Sequence, residues 1–385
     1  MAKCSRADSI PRKTGYQAET GVESLPRQMK TTAINTSVFP ILRFFAASIV
    51  VFFHFGQKIE YYQQVPVIFK AGPQMVTFFF VLSGFVLFLG YQRRELVFRQ
   101  YFLKRAIKIL PLYFVAFLMS VMFRIISGHL SFTEFLLNLL CLQSWFPHPL
   151  SLNFTSWFVS DLMFFYCVFP FILFILKKTR PDGWKMVTVS LLLWALTQGV
   201  LIKLLNTDFY AGHFFSTSDL ILYFPLSHFC SFFMGICGAY FIQSNGFAIR
   251  KGTTMSSLLT LFIFCAVGLM VQLQPELSKL AGCKLPFAAS FYAPVVLVLL
   301  CHMGLSDNPL LRILSWRKFV LWGEVSYALY ILQAPMDTLY KYMVPERLVV
   351  QPGMNFIMFF VLLVSTAFLV TWVEKIIIRR LRIIV

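Results

Sequence analysis

The sequence predicts an all-α, polytopic membrane protein with about ten transmembrane helices and both termini in the cytoplasm. Three observations predict this class. Hydrophobic residues form 58% of the chain and its mean hydropathy is +0.73, values that exclude an ordinary soluble domain. The apolar residues are gathered into segments of roughly 17 to 25 residues, the length that crosses a bilayer. Lys and Arg are abundant in every second connection between these segments, as in membrane proteins of fixed orientation.

A polar, basic segment, residues 1–37, precedes the first apolar segment. It has no periodic apolar pattern that could support a packed core, so we predict a disordered cytoplasmic tail. Met29 lies just ahead of the first span and is an alternative start. No small-residue cleavage site follows the first span, which is therefore expected to stay as a helix. Residues 38–385 are predicted to form one transmembrane domain.

The apolar segments are interpreted as the transmembrane helices. In chain order they are Val38–Phe55, Met75–Tyr91, Ile109–Ile126, Trp157–Leu176, Trp184–Ile202, Leu220–Gln243, Ser256–Leu273, Phe287–Leu305, Phe319–Asp337 and Met354–Glu374. The longest outer connection, Ser127–Ser156, contains an apolar stretch that we expect to form an interfacial helix or a re-entrant lid.

The distribution of basic residues gives the orientation. With the N-terminus inside, the cytoplasmic segments hold 25 Lys and Arg residues and the outer segments hold eight. This bias explains the net charge of +18 as a positive-inside pattern rather than a nucleic-acid patch. The eight cysteines are scattered, without metal-ligand spacing, so neither a disulfide framework nor a metal site is predicted.

The first span carries two strongly polar side chains, Arg43 and His54. Eleven residues of helix turn through three circuits plus roughly 20° and rise ~16.5 Å, so both point the same way at different depths. Ala47 and Val50 lie between them, and we expect these smaller residues to leave a slot beside the helix. Polar groups at membrane depth usually mark a functional site. The alternative is a snorkelling arginine with an interfacial histidine.

The predicted orientation assigns a depth to the other intramembrane polar residues. Asp161 and Gln333 lie near the outer ends of their spans, at the level of His54. Glu324 lies near the inner end, at the level of Arg43. We therefore expect an outer cluster with a base and a carboxylate, and an inner cluster with an arginine and a carboxylate.

A basic pair, Arg105 and Lys108, lies three residues apart at the predicted start of the third span. Pro111 follows in the first turn of that span, where a helix tolerates proline. A basic rim at a helix N-terminus suits a phosphate group, through its charge and through free backbone N–H groups. Anchoring by the positive-inside rule is the alternative explanation of this pair.

Ordered motifs carry a resemblance to a known family. They are RFFAASIVVFFH with the Arg43-x10-His54 pair, FFFVLSGFVL, FLKRAIKILPLY, WFVSDLMFFYCVFP, FFMGICGAY and GEVSYALYILQAP. In this order they resemble the acyltransferase-3 family of bacterial inner-membrane acyltransferases, over roughly Val38 to the end of the chain.

The resemblance implies transfer of an acyl group, most often acetyl, from cytoplasmic acyl-coenzyme A to a hydroxyl of an envelope polysaccharide or lipopolysaccharide on the outer side. It implies an inner-membrane location, no permanently bound cofactor and no nucleic-acid partner. Arg43 and His54 would be the essential pair, and the region of Arg105 would bind the donor. The family's Trp-x-x-Ser motif corresponds to Trp157 and Ser160, which would take part in substrate binding.

Three positions depart from the family pattern. Lys108 replaces a second arginine, which keeps the charge but loses the bidentate fork. Asp161 stands where a glutamate is common. Gln333 stands where a histidine is usual, and because an amide does not titrate we expect it to help position the acceptor rather than move a proton.

His54 is the predicted general base, because its unperturbed pKa is near neutral and a sugar hydroxyl is a poor nucleophile. Asp161 could orient its other ring nitrogen. Arg43 would bind phosphate or pantetheine, or help to stabilise the oxyanion, and the sequence does not choose between these. Direct transfer is preferred over an acyl-His54 intermediate. His228 and His302 are interpreted as structural, each hydrogen-bonded to a neighbouring helix.

Two other functional classes stay open. A glycan or lipid transporter would also line its path with intramembrane charges. The transporter hypothesis does not explain why a histidine lies at one depth and a basic, phosphate-type rim at the other. The sequence also has no visible inverted repeat, which many transporters contain. A purely structural membrane partner predicts that His54 is dispensable.

Overall fold

The computed structural model describes residues 34–207, 217–247, 249–344 and 351–380. Residues 1–33 of the predicted tail, Met29 among them, lie outside the described residues. Within the described ranges the regular secondary structure consists of α-helices, short 3-10 segments and one parallel pair of two-residue strands, β1 (Arg250–Lys251) and β2 (Ser306–Asp307).

The α-helices include both long apolar helices and short connecting ones. They are α1 (Phe39–Phe55), α2 (Gly72–Tyr91), α3 (Phe98–Ile126), α4 (Phe132–Leu139), α5 (Trp157–Thr179), α6 (Gly183–Leu205), α7 (Thr217–Tyr223), α8 (Pro225–Asn245), α9 (Thr254–Gln272), α10 (Gln274–Ala281), α11 (Ala293–Leu305), α12 (Pro309–Leu314), α13 (Arg317–Met343) and α14 (Pro352–Arg380).

Eight helical segments of the described chain are long and apolar enough to cross a membrane. They are α1, α2, α3, α5, α6, α7 with α8, α9 and α14. The shorter apolar helix α11 corresponds to the predicted eighth span, and the longer, more polar α13 corresponds to the predicted ninth span. The prediction of an all-helical polytopic membrane protein is confirmed.

Three predicted boundaries are wrong. The sixth span is not one helix, because Pro225 has no N–H to donate and begins α8 after a break at Phe224. The eighth span does not begin at Phe287: Ser290 has a φ of 64°, a left-handed conformation that a helix does not contain. The third span begins well before Ile109, because α3 starts at Phe98 and carries the basic residues within it.

Close helix contacts at glycines join α1 to α13 and α2 to α8. At Gly323 of α13 a Cβ atom would collide with Pro40 of α1. At Gly84 of α2 it would collide with a backbone carbonyl of α8, and at Gly235 of α8 with a backbone carbonyl of α2. Glycines at such crossings let two backbones approach closely. The face of α1 that carries Arg43 and His54 is thereby turned towards α13.

The segment Ser127–Ser156 is folded onto the bundle. It contains the predicted helix, α4, and a short 3-10 turn at Gln143–Trp145. Buried Asn138 holds it together: its Nδ2 donates to Ser151 Oγ (3.0 Å), and its Oδ1 accepts from Ser156 Oγ (3.1 Å). We call this segment the outer cap.

Candidate active site

A cavity of about 850 Å³ opens between α1, α2, α3, α5, α13 and α14. Its wall is rich in cationic side chains. The charged residues that line it are Arg43, Lys104, Arg105, Lys108, Lys375, Glu324 and Glu374. The predicted inner cluster of Arg43 with Glu324 is thus brought together, and Arg105 and Lys108 join it from α3.

Most of these cations have no carboxylate partner. Among ion pairs of the described residues, the one in this cavity joins Lys375 to Glu324. Arg43, Arg105 and Lys108 take part in none. Unpaired charges at membrane depth are costly unless a counter-charge meets them. The cavity therefore fits a ligand that carries several negative charges.

The guanidinium of Arg105 is held between two aromatic rings. Its Cζ lies 5.9 Å from the ring centre of Tyr91 and 5.9 Å from that of Tyr166. Its buried Nε has no hydrogen-bond partner. Cation–π contacts fix the group while leaving donors for a ligand. Neither tyrosine is among the site residues predicted from the sequence, although a tyrosine inside an apolar span needs a partner for its hydroxyl.

One part of the phosphate-rim prediction is wrong. Because α3 begins at Phe98, Arg105 and Lys108 lie inside the helix, where backbone N–H groups are already bonded. Pro111 is also internal to α3 rather than at its start. Any attraction for phosphate therefore comes from the side-chain charges alone.

On the side of His54, which is predicted to be the outer side, the cavity ends at a cluster of three rings. Phe158 and Tyr330 have centroids 5.1 Å apart, and Phe79 lies 6.0 Å and 6.1 Å from them. The expected slot beside α1 is absent, since Ala47 and Val50 are only 0% and 1% exposed and do not line the cavity. Arg43 is therefore separated from His54 by packed side chains.

His54 is hydrogen-bonded to Gln333, as their shared depth predicted. The His54 Nδ1 lies 2.9 Å from Gln333 Oε1, and Gln333 Nε2 donates to the Tyr330 carbonyl at 2.7 Å. The carbonyl fixes the amide orientation, so Oε1 must face the imidazole. Nδ1 then carries the proton and donates, which leaves the Nε2 lone pair available. Both polar atoms of Gln333 are used internally, so an acceptor-binding role for this side chain is not supported.

Asp161 does not pair with His54, and that prediction is wrong. Its two carboxylate oxygens are buried and accept no hydrogen bond from the described residues. Trp157, one helical turn away, packs against the rings of Tyr223 (4.8 Å) and His228 (5.1 Å). The side chain of Trp157 is thus turned towards α7 and α8.

Ser160 and Trp157 do not line the cavity, although the family motif implied substrate binding for both. Ser160 Oγ accepts a hydrogen bond from Ser144 Oγ at 2.7 Å, and both hydroxyls are buried. Trp157 is 5% exposed. Both side chains contribute to packing between α5, α7 and the outer cap.

The remaining intramembrane histidines are hydrogen-bonded internally; His302 bonds to a neighbouring helix, as predicted, whereas His228 bonds within the predicted sixth span. His228 Nε2 lies 2.7 Å from the Leu222 carbonyl of α7, and His302 Nε2 lies 2.9 Å from Thr260 Oγ1 of α9. Across the described ranges, no three His, Cys, Asp or Glu side chains are grouped so as to hold a metal ion.

Comparison with known proteins gives one family. Residues 39–374, more than half of the chain, match the family described as Acyltransferase domain, the acyltransferase-3 domain. The match includes α1 and the other helices that line the cavity, except for the last residues of α14, from Lys375 onward. No curated protein and no solved structure matches the chain.

Proposed function

This chain belongs to the acyltransferase-3 family, and we propose on that premise that it transfers an acyl group, most simply acetyl, from cytoplasmic acyl-coenzyme A to a hydroxyl of an envelope glycan. The glycan is a polysaccharide or lipopolysaccharide on the outer face of a bacterial inner membrane. The observation that carries the proposal is the arrangement along α1: a cationic cavity at Arg43 and an oriented imidazole at His54, two sites on one face of one helix.

The cavity suits the donor by charge. Coenzyme A carries a diphosphate and a 3′-phosphate, and Arg43, Lys104, Arg105 and Lys108 line the cavity without carboxylate partners. Charge-assisted hydrogen bonds to phosphate are the stronger kind, and arginine presents a planar fork to them. The adenine nucleotide would enter at the inner end, with the pantetheine arm directed towards Phe79 and Tyr330.

His54 suits the chemical step. Its Nε2 accepts the proton of the glycan hydroxyl while the hydroxyl oxygen attacks the thioester carbonyl carbon. The carbon–sulfur bond then breaks, the sulfur leaves as the thiol after taking the proton back from Nε2, and the acyl ester remains on the glycan. Gln333 keeps the proton on Nδ1 throughout, so the base is regenerated in the same tautomer.

Arg43 is assigned to donor binding rather than to the oxyanion. It lies eleven residues from His54, a helical rise of ~16.5 Å, and the packed Ala47 and Val50 occupy the face between them. An arginine side chain does not reach across that distance. The phosphate or pantetheine alternative is therefore the one we retain.

The experiment compares envelope glycans by mass spectrometry from cells that carry the wild-type chain, His54→Asn or no copy of the gene. We expect the acyl mass increment with wild type only, because losing a positioned base typically costs ~10² to 10⁴ in rate. Near-normal acylation by an inserted His54→Asn chain would contradict the proposal. Inverted membrane vesicles from the same cells test the transporter alternative. Transport should not depend on acyl-coenzyme A added outside these vesicles, where their cytoplasmic face is exposed.

A further inference from the structure

We propose that Phe154 of the outer cap forms an acceptor subsite, a flat aromatic platform that binds the face of a pyranose ring beside His54. This inference rests on the proposed function and specifies its acceptor. The acceptor would be a hexopyranose unit, recognised through its ring rather than through a charged substituent.

Phe154 is placed where an acceptor must arrive. Its ring centre lies 4.7 Å from that of His54, at an interplanar angle of 71°, and 6.1 Å from that of Phe55. Among the described residues, the ring contacts of His54 outside α1 are made by Phe154 alone. Both Phe154 and His54 are half-buried rather than fully enclosed. On the side of the outer cap, the imidazole is thus bordered by this one ring.

The backbone around Phe154 is held rigidly. Leu152 adopts a left-handed φ of 54°, which is costly for a branched side chain and persists only where its surroundings impose it. Asn153 Nδ2 donates to the Ile331 carbonyl at 2.9 Å, and Asn153 Oδ1 accepts from the Thr155 hydroxyl at 2.9 Å.

The same stretch of α13 therefore positions both parts of the subsite. Ile331 holds the outer cap through Asn153, and Gln333, two residues on, holds His54. Such preorganisation is typical of a binding surface, because it removes the entropy cost of ordering the surface when the ligand arrives.

The chemistry of the platform selects a sugar ring. One face of a pyranose presents several C–H groups, which are weakly positive, and the face of a phenyl ring is negative. Stacking on Phe154 would leave the ring hydroxyls at the edge, where the neighbouring imidazole accepts a proton. An extended lipid alcohol or an acyclic polyol has no such flat face.

The test uses the full-length protein in lipid nanodiscs, with acetyl-coenzyme A as donor and a panel of methyl hexopyranosides as acceptor probes. The readout is the partition of the acetyl group between glycoside ester and free acetate from hydrolysis, at sub-saturating glycoside. We expect Phe154→Leu to lower this partition by roughly two- to tenfold while acetyl-coenzyme A hydrolysis stays unchanged. Phe154→Tyr should keep the wild-type partition, because it keeps the flat face.

Phe146→Leu is the matched control, since Phe146 is an exposed phenylalanine of the same outer cap, and its partition should not change. The subsite would be overturned if Phe154→Leu gave the same partition as the wild type. It would also be overturned if the wild type hydrolysed acetyl-coenzyme A but formed no glycoside ester. If Phe154→Leu does not assemble, Phe154→Met supplies the same comparison with a flexible side chain. No turnover of acetyl-coenzyme A by the wild type would instead contradict the proposed function.

Discussion

Substitution of Gln333 by leucine tests whether an amide, in place of the histidine usual in the family, positions His54. In the structure Gln333 is 0% exposed and uses both polar ends, one towards His54 Nδ1 at 2.9 Å and one towards the Tyr330 carbonyl at 2.7 Å. Leucine occupies a similar volume but accepts no hydrogen bond. The Nδ1–H group of His54 would then lie without its partner.

The expected loss follows from the cost of that orphaned donor. Leaving a buried polar group unsatisfied costs about 1–3 kcal/mol, which the imidazole can avoid by turning or by moving its proton to Nε2. Either change removes the lone pair that the hydroxyl needs. Since 1.36 kcal/mol is tenfold in rate, we expect kcat to fall by roughly 10- to 100-fold. Donor KM should not change, because Gln333 does not line the cavity.

The assay combines steady-state acyl transfer with ¹⁵N NMR of histidine-labelled protein, which separates the two imidazole tautomers. The matched control is Gln198→Leu, because Gln198 is another buried glutamine whose Nε2 donates to a backbone carbonyl, at 3.2 Å. A Gln333→Leu chain with kcat within twofold of wild type, or a wild-type His54 protonated on Nε2, would refute this reasoning.

Three further predictions concern the donor site, the helix packing and the topology. Arg105→Ala should raise donor KM about tenfold or more in acyl-coenzyme A titrations, because a charge-assisted contact is worth roughly 1.5–3 kcal/mol. Gly84→Ala should destabilise the bundle by about 1–3 kcal/mol in thermal unfolding, since its Cβ would overlap a backbone carbonyl of α8; Gly199→Ala, where a Cβ meets nothing within 4 Å, should not. An impermeant thiol reagent applied to intact cells should label a cysteine introduced at His129 and should not label one at Arg94.

Controls for two of these come from the chain itself. Arg312→Ala removes an exposed arginine that is paired with Asp307 at 2.8 Å, and it should leave donor KM unchanged. If Arg105→Ala behaves in the same way, the cavity does not bind the donor phosphates. The labelling experiment uses a chain with Cys283→Ser, because Cys283 is a partly exposed cysteine of another predicted outer connection. The native Cys141 of the outer cap should stay unreactive, because burial raises the pKa of its thiol to about 11. Labelling at position 94 in intact cells would reverse the orientation.

The sequence predicted several contacts of the site correctly because helical periodicity is a local property. The eleven-residue spacing of Arg43 and His54 placed both on one face of α1. In the structure Arg43 lines the same cavity as Glu324 of α13, and His54 is hydrogen-bonded to Gln333 of the same helix. Depth, inferred from basic residues in the connections, placed Gln333 at the level of His54. It also placed Asp161 there, and the structure contradicts that pairing. Depth along a helix says nothing about which way a side chain points around its axis.

The sequence by itself determined what depends on composition and period: an all-helical membrane bundle, the approximate spans, and α1 as the helix that carries both polar groups. Only the tertiary structure decided which neighbours those groups meet. It turned Trp157 towards α7 and α8, left Asp161 without a hydrogen bond to His54, filled the expected slot at Ala47 and Val50, and brought Phe154 of the outer cap onto His54. In a bilayer every span is apolar on several faces, so hydrophobicity does not specify the rotation of a helix. That rotation is set by close contacts such as Gly323 against Pro40, which join residues far apart in the chain.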